Sequence, residues 1–284
     1  MTLKFSCIEV MKLMKFFIYL LIGYLILIIF VYFFQDKLLY IPDRQLIAKP
    51  SDAGLYYEEI ILTTNDNISL KGWFIPSKEN KYVVIFSQGN AGNRSYRIEK
   101  IKILNEIGLS VLIYDYRGYG DSEGKPNETG TYLDAVAGWQ YLVNIKGINT
   151  EKIILYGESL GSAVSVELAR RLPCSAIILE GAFTSLNELA EKFFPYLPAK
   201  FLSKYDYDSL SKINSLKMAK LFIHSDKDDI VPYDMGKRLF DKATETKKFL
   251  TLSGGHNDGF YVSRQKYLEG IRVFLEDNLK RNQS

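Results

Sequence analysis

Residues 152–162 read Lys-Ile-Ile-Leu-Tyr-Gly-Glu-Ser-Leu-Gly-Ser, and no other stretch narrows the possible folds as much. Ile153, Ile154 and Leu155 form an apolar, β-branched run suited to a strand buried on both faces. Gly157, Ser159 and Gly161 then make the Gly-x-Ser-x-Gly pattern of a nucleophile elbow. Residues 163–171 read as a helix. Such a turn lifts one hydroxyl above a sheet, and glycines two residues either side let strand and helix pass closely. The helix start also supplies free N–H groups and a positive dipole end beneath Ser159. The five letters alone are a weak signal, since a Gly-rich turn can hold an ordinary serine. The strand before them and the helix after them supply the context that the pattern requires.

The rest of the chain builds a sheet around this turn. Residues 56–63 and 68–76 read as two strands, with Asn65, Asp66 and Asn67 as hairpin-turn residues between them. From residue 82 onward strands and helices alternate. Strands are expected at 82–87, 110–114, 153–155, 175–179, 220–224 and 248–252. Helices are expected at 94–107, 129–143, 163–171, 231–243 and 260–279. Alternation implies right-handed crossovers and a mostly parallel sheet with helices on both faces. Residues 183–212 break the rhythm with about 30 residues that carry no strand signal, and an insertion of that length is usually a lid or binding element. Phe193, Phe194, Tyr196 and Leu197 are its candidate substrate-binding residues.

Ahead of this domain, residues 16–34 carry no charge. At about 1.5 Å per residue they make a helix about 28 Å long, close to the hydrocarbon thickness of a bilayer. Gln35, Asp36 and Lys37 follow, with no small-residue cleavage site of the kind that ends a signal peptide. The expected layout is a tail over 1–15, one membrane-spanning helix over 16–34, a connector over 35–55 and a catalytic domain over 56–284. Lys4, Lys12 and Lys15 precede the apolar run, and Lys37, Arg44 and Lys49 follow at wider spacing. That slight bias points to a cytoplasmic N-terminus, with the catalytic domain on the opposite side. The bilayer is therefore one expected partner. With 36 basic against 33 acidic residues, the net charge of +3 is too balanced for a nucleic-acid binder.

A serine nucleophile needs a base, and only two histidines are available, His224 and His256. The fold requires the order Ser, then Asp, then His. His256 lies in a flexible Ser-Gly-Gly-His loop between the last strand and the last helix, and it is the candidate base. His224 precedes the acid loop and is read as a structural or supporting residue. Asp226, Asp228 and Asp229 are the carboxylates of that loop. One oxyanion donor is the N–H of Leu160, and the second comes from residues 88–93. The glycines at 118, 120 and 124 suggest a phosphate cradle, but they open no helix directly and no P-loop lysine follows. They are read as a structural loop beside the site. Two histidines and two unclustered cysteines give no zinc pattern, so no metal and no cofactor is expected.

Several segments together resemble the membrane-anchored α/β-hydrolase-fold serine hydrolases of the abhydrolase-domain type. They are Leu38-Leu-Tyr-Ile-Pro42, Gly89-Asn-Ala-Gly-Asn93, Asp115-Tyr-Arg-Gly-Tyr-Gly120, Gly157-Glu-Ser-Leu-Gly161, Pro195-Tyr-Leu-Pro198, Asp228-Asp-Ile-Val-Pro232 and Gly255-His-Asn-Asp258. The resemblance runs from about Gln35 to the C-terminus. It selects Asp228 as the acid, with Asp226 as the alternative, and Asn90 as the second oxyanion donor, with Ala91 behind it. It implies hydrolysis of carboxylic esters or thioesters of acyl substrates through Ser159, Asp228 and His256. Gln88 stands where the family usually has His, and Ser225 where it usually has Gly. The rival readings are a peptidase of the same fold and a catalytically silent membrane scaffold. The residues leave the oligomeric state open.

Overall fold

The computed structural model of the chain describes residues 7–79 and 81–279. Its first element is a single 33-residue helix, α1 (Cys7–Leu39). The expected boundaries at 15 and 34 are therefore not helix boundaries. They mark where charge begins, and residues such as Glu9, Lys12, Gln35 and Lys37 carry good helix propensity and continue the helix at both ends. Residues 1–6 of the expected tail lie outside the described residues. Among the described residues this is the one helix long and apolar enough to cross a membrane, with mean hydropathy 2.7 over its most apolar 18 residues.

After α1 the chain forms β1 (Ile41–Pro42), then the edge hairpin β2 (Glu58–Thr63) and β3 (Ser69–Ile75). The hairpin is antiparallel, with Glu58 opposite Phe74 and Thr63 opposite Ser69. Asn67 adopts the left-handed conformation in its turn, at φ 62°. Then follow β4 (Tyr82–Ser87), β5 (Ala91–Gly92), α2 (Ile98–Glu106), β6 (Leu109–Tyr114) and α3 (Glu128–Gln140). The elbow region supplies β7 (Ile153–Glu158) and α4 (Leu160–Arg171), followed by β8 (Ala176–Glu180). The insertion holds two short helices, α5 (Leu186–Phe193) and α6 (Ala199–Leu202). The chain ends with β9 (Ala219–Ser225), α7 (Tyr233–Lys242), β10 (Lys247–Leu252), α8 (Gly259–Val262) and α9 (Arg264–Leu279). The expected closing helix is thus two helices.

The main sheet has eight strands in the order β10-β9-β8-β7-β4-β6-β3-β2. All neighbours from β10 to β6 run parallel, and β3 and β2 are antiparallel. The side-chain alternation of the strands decides which layer each residue feeds. Ile153 and Leu155 pack into the core shared with α3 and α4, while Ile154 and Tyr156 pack into the core shared with α2 and α9. Full burial of such a side chain stabilises the fold by about 1.5–3 kcal/mol.

The chain order reverses at the centre of the sheet. From β4 it moves out to β6, then returns to the other side of β4 at β7 and continues away from it. The C-terminal ends of β4 and β7 therefore flank a topological switch point, the usual ligand site of a doubly wound sheet. A second, two-stranded pairing was not anticipated by the side-chain pattern: β1 lies parallel to β5, with Ile41 opposite Ala91. It fastens the chain leaving α1 directly onto the loop after β4.

Candidate active site

Ser159 sits at the β7–α4 junction with φ 53° and ψ −118°. A non-glycine residue held there stores strain of about 1–3 kcal/mol, and it persists only because the surroundings fix it. The packing explains how. A Cβ on Gly161 would collide with the Ser87 carbonyl, and one on Gly157 would collide with the backbone of Gly161 and Ser162. The Ser159 N–H donates to the Glu180 carbonyl at 2.8 Å. The Ser162 hydroxyl donates to the carbonyls of Gly157 at 2.8 Å and Glu180 at 3.1 Å, bracing the turn from below. Among the described residues the Ser159 hydroxyl has no hydrogen-bond partner. Nucleophile–base bonds of this kind often tighten only when substrate is bound.

The loops after β9 and β10 bring an acid and a base together. His256 Nδ1 lies 2.7 Å from Asp228 Oδ2, with the two side chains 7% and 1% exposed. The other carboxylate oxygen of Asp228 accepts from the N–H groups of Ile230 at 3.0 Å and Val231 at 2.6 Å. His224, buried at the end of β9, places Nε2 2.9 Å from the Val231 carbonyl and 3.3 Å from Asp228 Oδ2. It touches the acid and not the serine. Asp226 is exposed, and its N–H donates to the Leu252 carbonyl. Asp229 accepts from the backbone N–H of His256 at 3.1 Å, so it holds the loop rather than the imidazole.

Burial opposes the charge on Asp228, but hydrogen bonds from His224 and His256 and the Val231 N–H outweigh it and hold the carboxyl well below its usual range. Folding thus favours the ionised form. The resulting stabilisation is complete above the ordinary aspartate pKa of about 3.9 and is lost as pH falls through the lower folded value. Urea melts between about pH 5 and pH 2 should show a steeper loss of stability for the wild type than for Asp228→Asn. Equal acid slopes would show that this carboxylate is not held in its charged form.

Of the two expected oxyanion donors, Leu160 follows the serine directly, and Asn90 follows Gly89, where an added Cβ would lie 3.6 Å from Ser159 Cβ. Leu160 is the first residue of α4, so its N–H has no intrahelical acceptor. Asn90 turns its carbonyl to the N–H of Ile41 at 3.0 Å and to the hydroxyl of Tyr119 at 2.7 Å. Its side-chain amide donates to the Leu39 carbonyl at 2.8 Å, which leaves its backbone N–H out of these bonds. The Gly89 N–H lies 3.4 Å from a Glu158 carboxylate oxygen. Gln88, which replaces the family histidine, is buried and donates to Asp115 at 3.1 Å.

Three features escaped the sequence reading. Gly181, at φ 58°, leaves room for the imidazole, because a Cβ there would approach His256 Cε1 to 2.9 Å. A glycine one residue past a strand end on the site's edge was its signal. Glu158 is held by Arg97 and Lys100, each at 2.7 Å, and Lys100 also bonds Glu180 at 2.9 Å. This ion network lies behind the elbow and fixes the residue before the nucleophile. The third feature is the packing of α1 beside the insertion. Phe193, Phe194 and Leu197 line an apolar groove whose opposite wall is Val31, Leu38 and Leu39 of α1. Tyr196 is not part of that lining. Its side chain faces outward, 61% exposed, and its carbonyl accepts from the Tyr24 hydroxyl of α1. Among the described residues no cluster of three His, Cys, Asp or Glu could hold a metal ion.

Comparison with known proteins agrees with this architecture. Residues 82–208 match the family model described as the α/β-hydrolase fold. An α/β-hydrolase domain-containing protein of Arabidopsis thaliana is 32% identical over 86% of this chain and 88% of its own length. A lysophosphatidylserine lipase of Danio rerio is 32% identical over 62% of this chain and 51% of its own length. An esterase structure from Pyrococcus furiosus superimposes with a TM-score of 0.72 at 21% identity, covering 84% of this chain and 99% of the esterase.

Proposed function

Because the chain belongs to the α/β-hydrolase family, with esterase and lipase neighbours, we propose that it is a membrane-anchored serine hydrolase of acyl esters or thioesters. The observation that carries the reading is the strained Ser159, with its unpartnered hydroxyl, at the switch point of the sheet, beside the bonded pair Asp228–His256. Ser159 Oγ attacks the acyl carbonyl while His256 Nε2 takes its proton. The N–H groups of Leu160 and Asn90 stabilise the tetrahedral oxyanion. Collapse expels the alcohol or thiol, which regains the proton from His256, and water then cleaves the acyl-enzyme by the same path. Asp228 holds the imidazole tautomer and stabilises the imidazolium without itself gaining the proton. A fluorophosphonate probe tests the reading, since only an activated serine reacts. Labelling confined to Ser159 supports it, and an unlabelled folded chain rejects it.

The anchor is α1, with residues 16–34 in the bilayer. We place its N-terminus on the cytoplasmic side and the catalytic domain opposite, from the lysines that precede the apolar run. The chain is expected to pellet with membranes and to stay there through carbonate extraction. Recovery of a mature protein trimmed after residue 34 would instead identify a cleaved signal peptide.

A further inference from the structure

We propose that the last turns of α1 are a wall of the substrate site, and that one acyl chain enters it sideways from the bilayer. The proposal rests on the serine-hydrolase reading above and adds where the acyl chain lies. The groove between α1 and the insertion has a volume of about 280 Å³. That is just below the usual range for ligand sites, about 300–1,000 Å³, so it suits one chain and not a pair.

The inner end of the groove adjoins the reactive centre at two points. Leu39, which lines it, gives its carbonyl to the side chain of Asn90. Ile230, which also lines it, gives its N–H to Asp228. An acyl carbonyl between the oxyanion loop and the acid loop therefore has the groove as the path for its chain.

The two walls are fastened together by specific bonds. Gln35, only 9% exposed, donates from its amide to the Leu202 carbonyl at 2.8 Å and accepts from the Lys204 N–H at 2.8 Å. The Tyr205 hydroxyl donates to Asp36 at 2.7 Å. Higher on the helix, the Tyr24 hydroxyl donates to the Tyr196 carbonyl at 2.7 Å. Tyr24 lies 15 residues before Leu39, about 22 Å along the helix, so the insertion follows α1 well into its apolar span. The outer rim fits that depth. Phe193, Phe194 and Phe201 are 48%, 47% and 87% exposed. Aromatic surface of that extent is costly against water and favourable against lipid. The bilayer covers the rim, and the groove opens into it.

The test uses the full-length chain in phosphatidylcholine vesicles and a long-chain alkyl fluorophosphonate with a diazirine at the chain end. Phosphonylation reports the serine, and photolysis then reports where the chain lies. The expected result is phosphonylated Ser159 with cross-links in the peptides holding residues 31–39 and 186–202. Phosphonylated Ser159 with cross-links confined to other segments overturns the acyl site while leaving the hydrolase reading intact. Absence of phosphonylation overturns the reading and the proposal with it. Val31→Trp narrows the groove from the helix side. It should lower the labelling-rate ratio of a dodecyl to an ethyl probe by about tenfold or more, the equivalent of about two lost methylene contacts. An unchanged ratio counts against the groove.

Discussion

Ser159→Ala is expected to abolish ester hydrolysis and fluorophosphonate labelling together, with turnover falling by about 10⁶-fold, the scale seen when a triad serine is removed. The fold should be unaffected. The hydroxyl makes no bond within the described chain, so its loss leaves no partner unsatisfied. Alanine keeps the Cβ and hence the same strain at φ 53°. Ser159→Gly separates the two roles of this position. It should be as inactive as Ser159→Ala but at least as stable, because glycine adopts a positive φ without steric cost. Urea melts and a p-nitrophenyl ester assay check both statements. Near-wild-type turnover by Ser159→Ala would remove Ser159 from the mechanism and leave the strained elbow without a purpose.

What could be read in advance was whatever side-chain type and spacing determine. A buried parallel strand needs an unbroken apolar run, so residues 82–87, 110–114 and 153–155 announced themselves, and observed strands cover each of them. The elbow was legible because only glycine fits at 157 and 161, where a Cβ would meet backbone. The identity of the acid was less legible, since Asp226, Asp228 and Asp229 are equivalent by residue type. Geometry separates them: one meets the imidazole, one the backbone N–H of His256, and one the solvent.

What was hidden depends on backbone pairing and on contacts between distant segments. The β1–β5 pair is two residues per strand and includes Pro42, so no apolar period could signal it. The groove wall was hidden for a related reason. In a run as uniformly apolar as residues 16–34, nothing distinguishes a face that meets lipid from one that meets protein. Gln35 is the exception, as a buried amide whose two hydrogen-bonding ends are both satisfied by the backbone of the insertion. Its polarity read as the end of the membrane run. In the structure it is the point where the helix is fastened to the domain.

Asp228→Asn should lower turnover by about 10⁴-fold, the scale reported for losing the triad acid. The reason lies in which atoms already have partners. One carboxylate oxygen of Asp228 accepts two backbone N–H groups, from Ile230 and Val231. An asparagine at this position must keep its carbonyl oxygen there, since its amide group can only donate. Its NH₂ then faces His256 Nδ1, where the carboxylate now accepts at 2.7 Å. A donor at that point obliges Nδ1 to become an acceptor, so the ring proton moves to Nε2. Nε2 can then no longer take the proton of Ser159, and the base is lost though every side chain stays in place. The nearby His224 cannot substitute, because its Nε2 is bound at the Val231 carbonyl and lies on the acid's side of the site. Asp226→Asn changes an exposed residue and should leave turnover within about twofold of wild type, in line with the small effects of exposed substitutions. A large loss in Asp226→Asn with little change in Asp228→Asn would mean that the loop rearranges in the working enzyme and presents a different carboxylate to the imidazole.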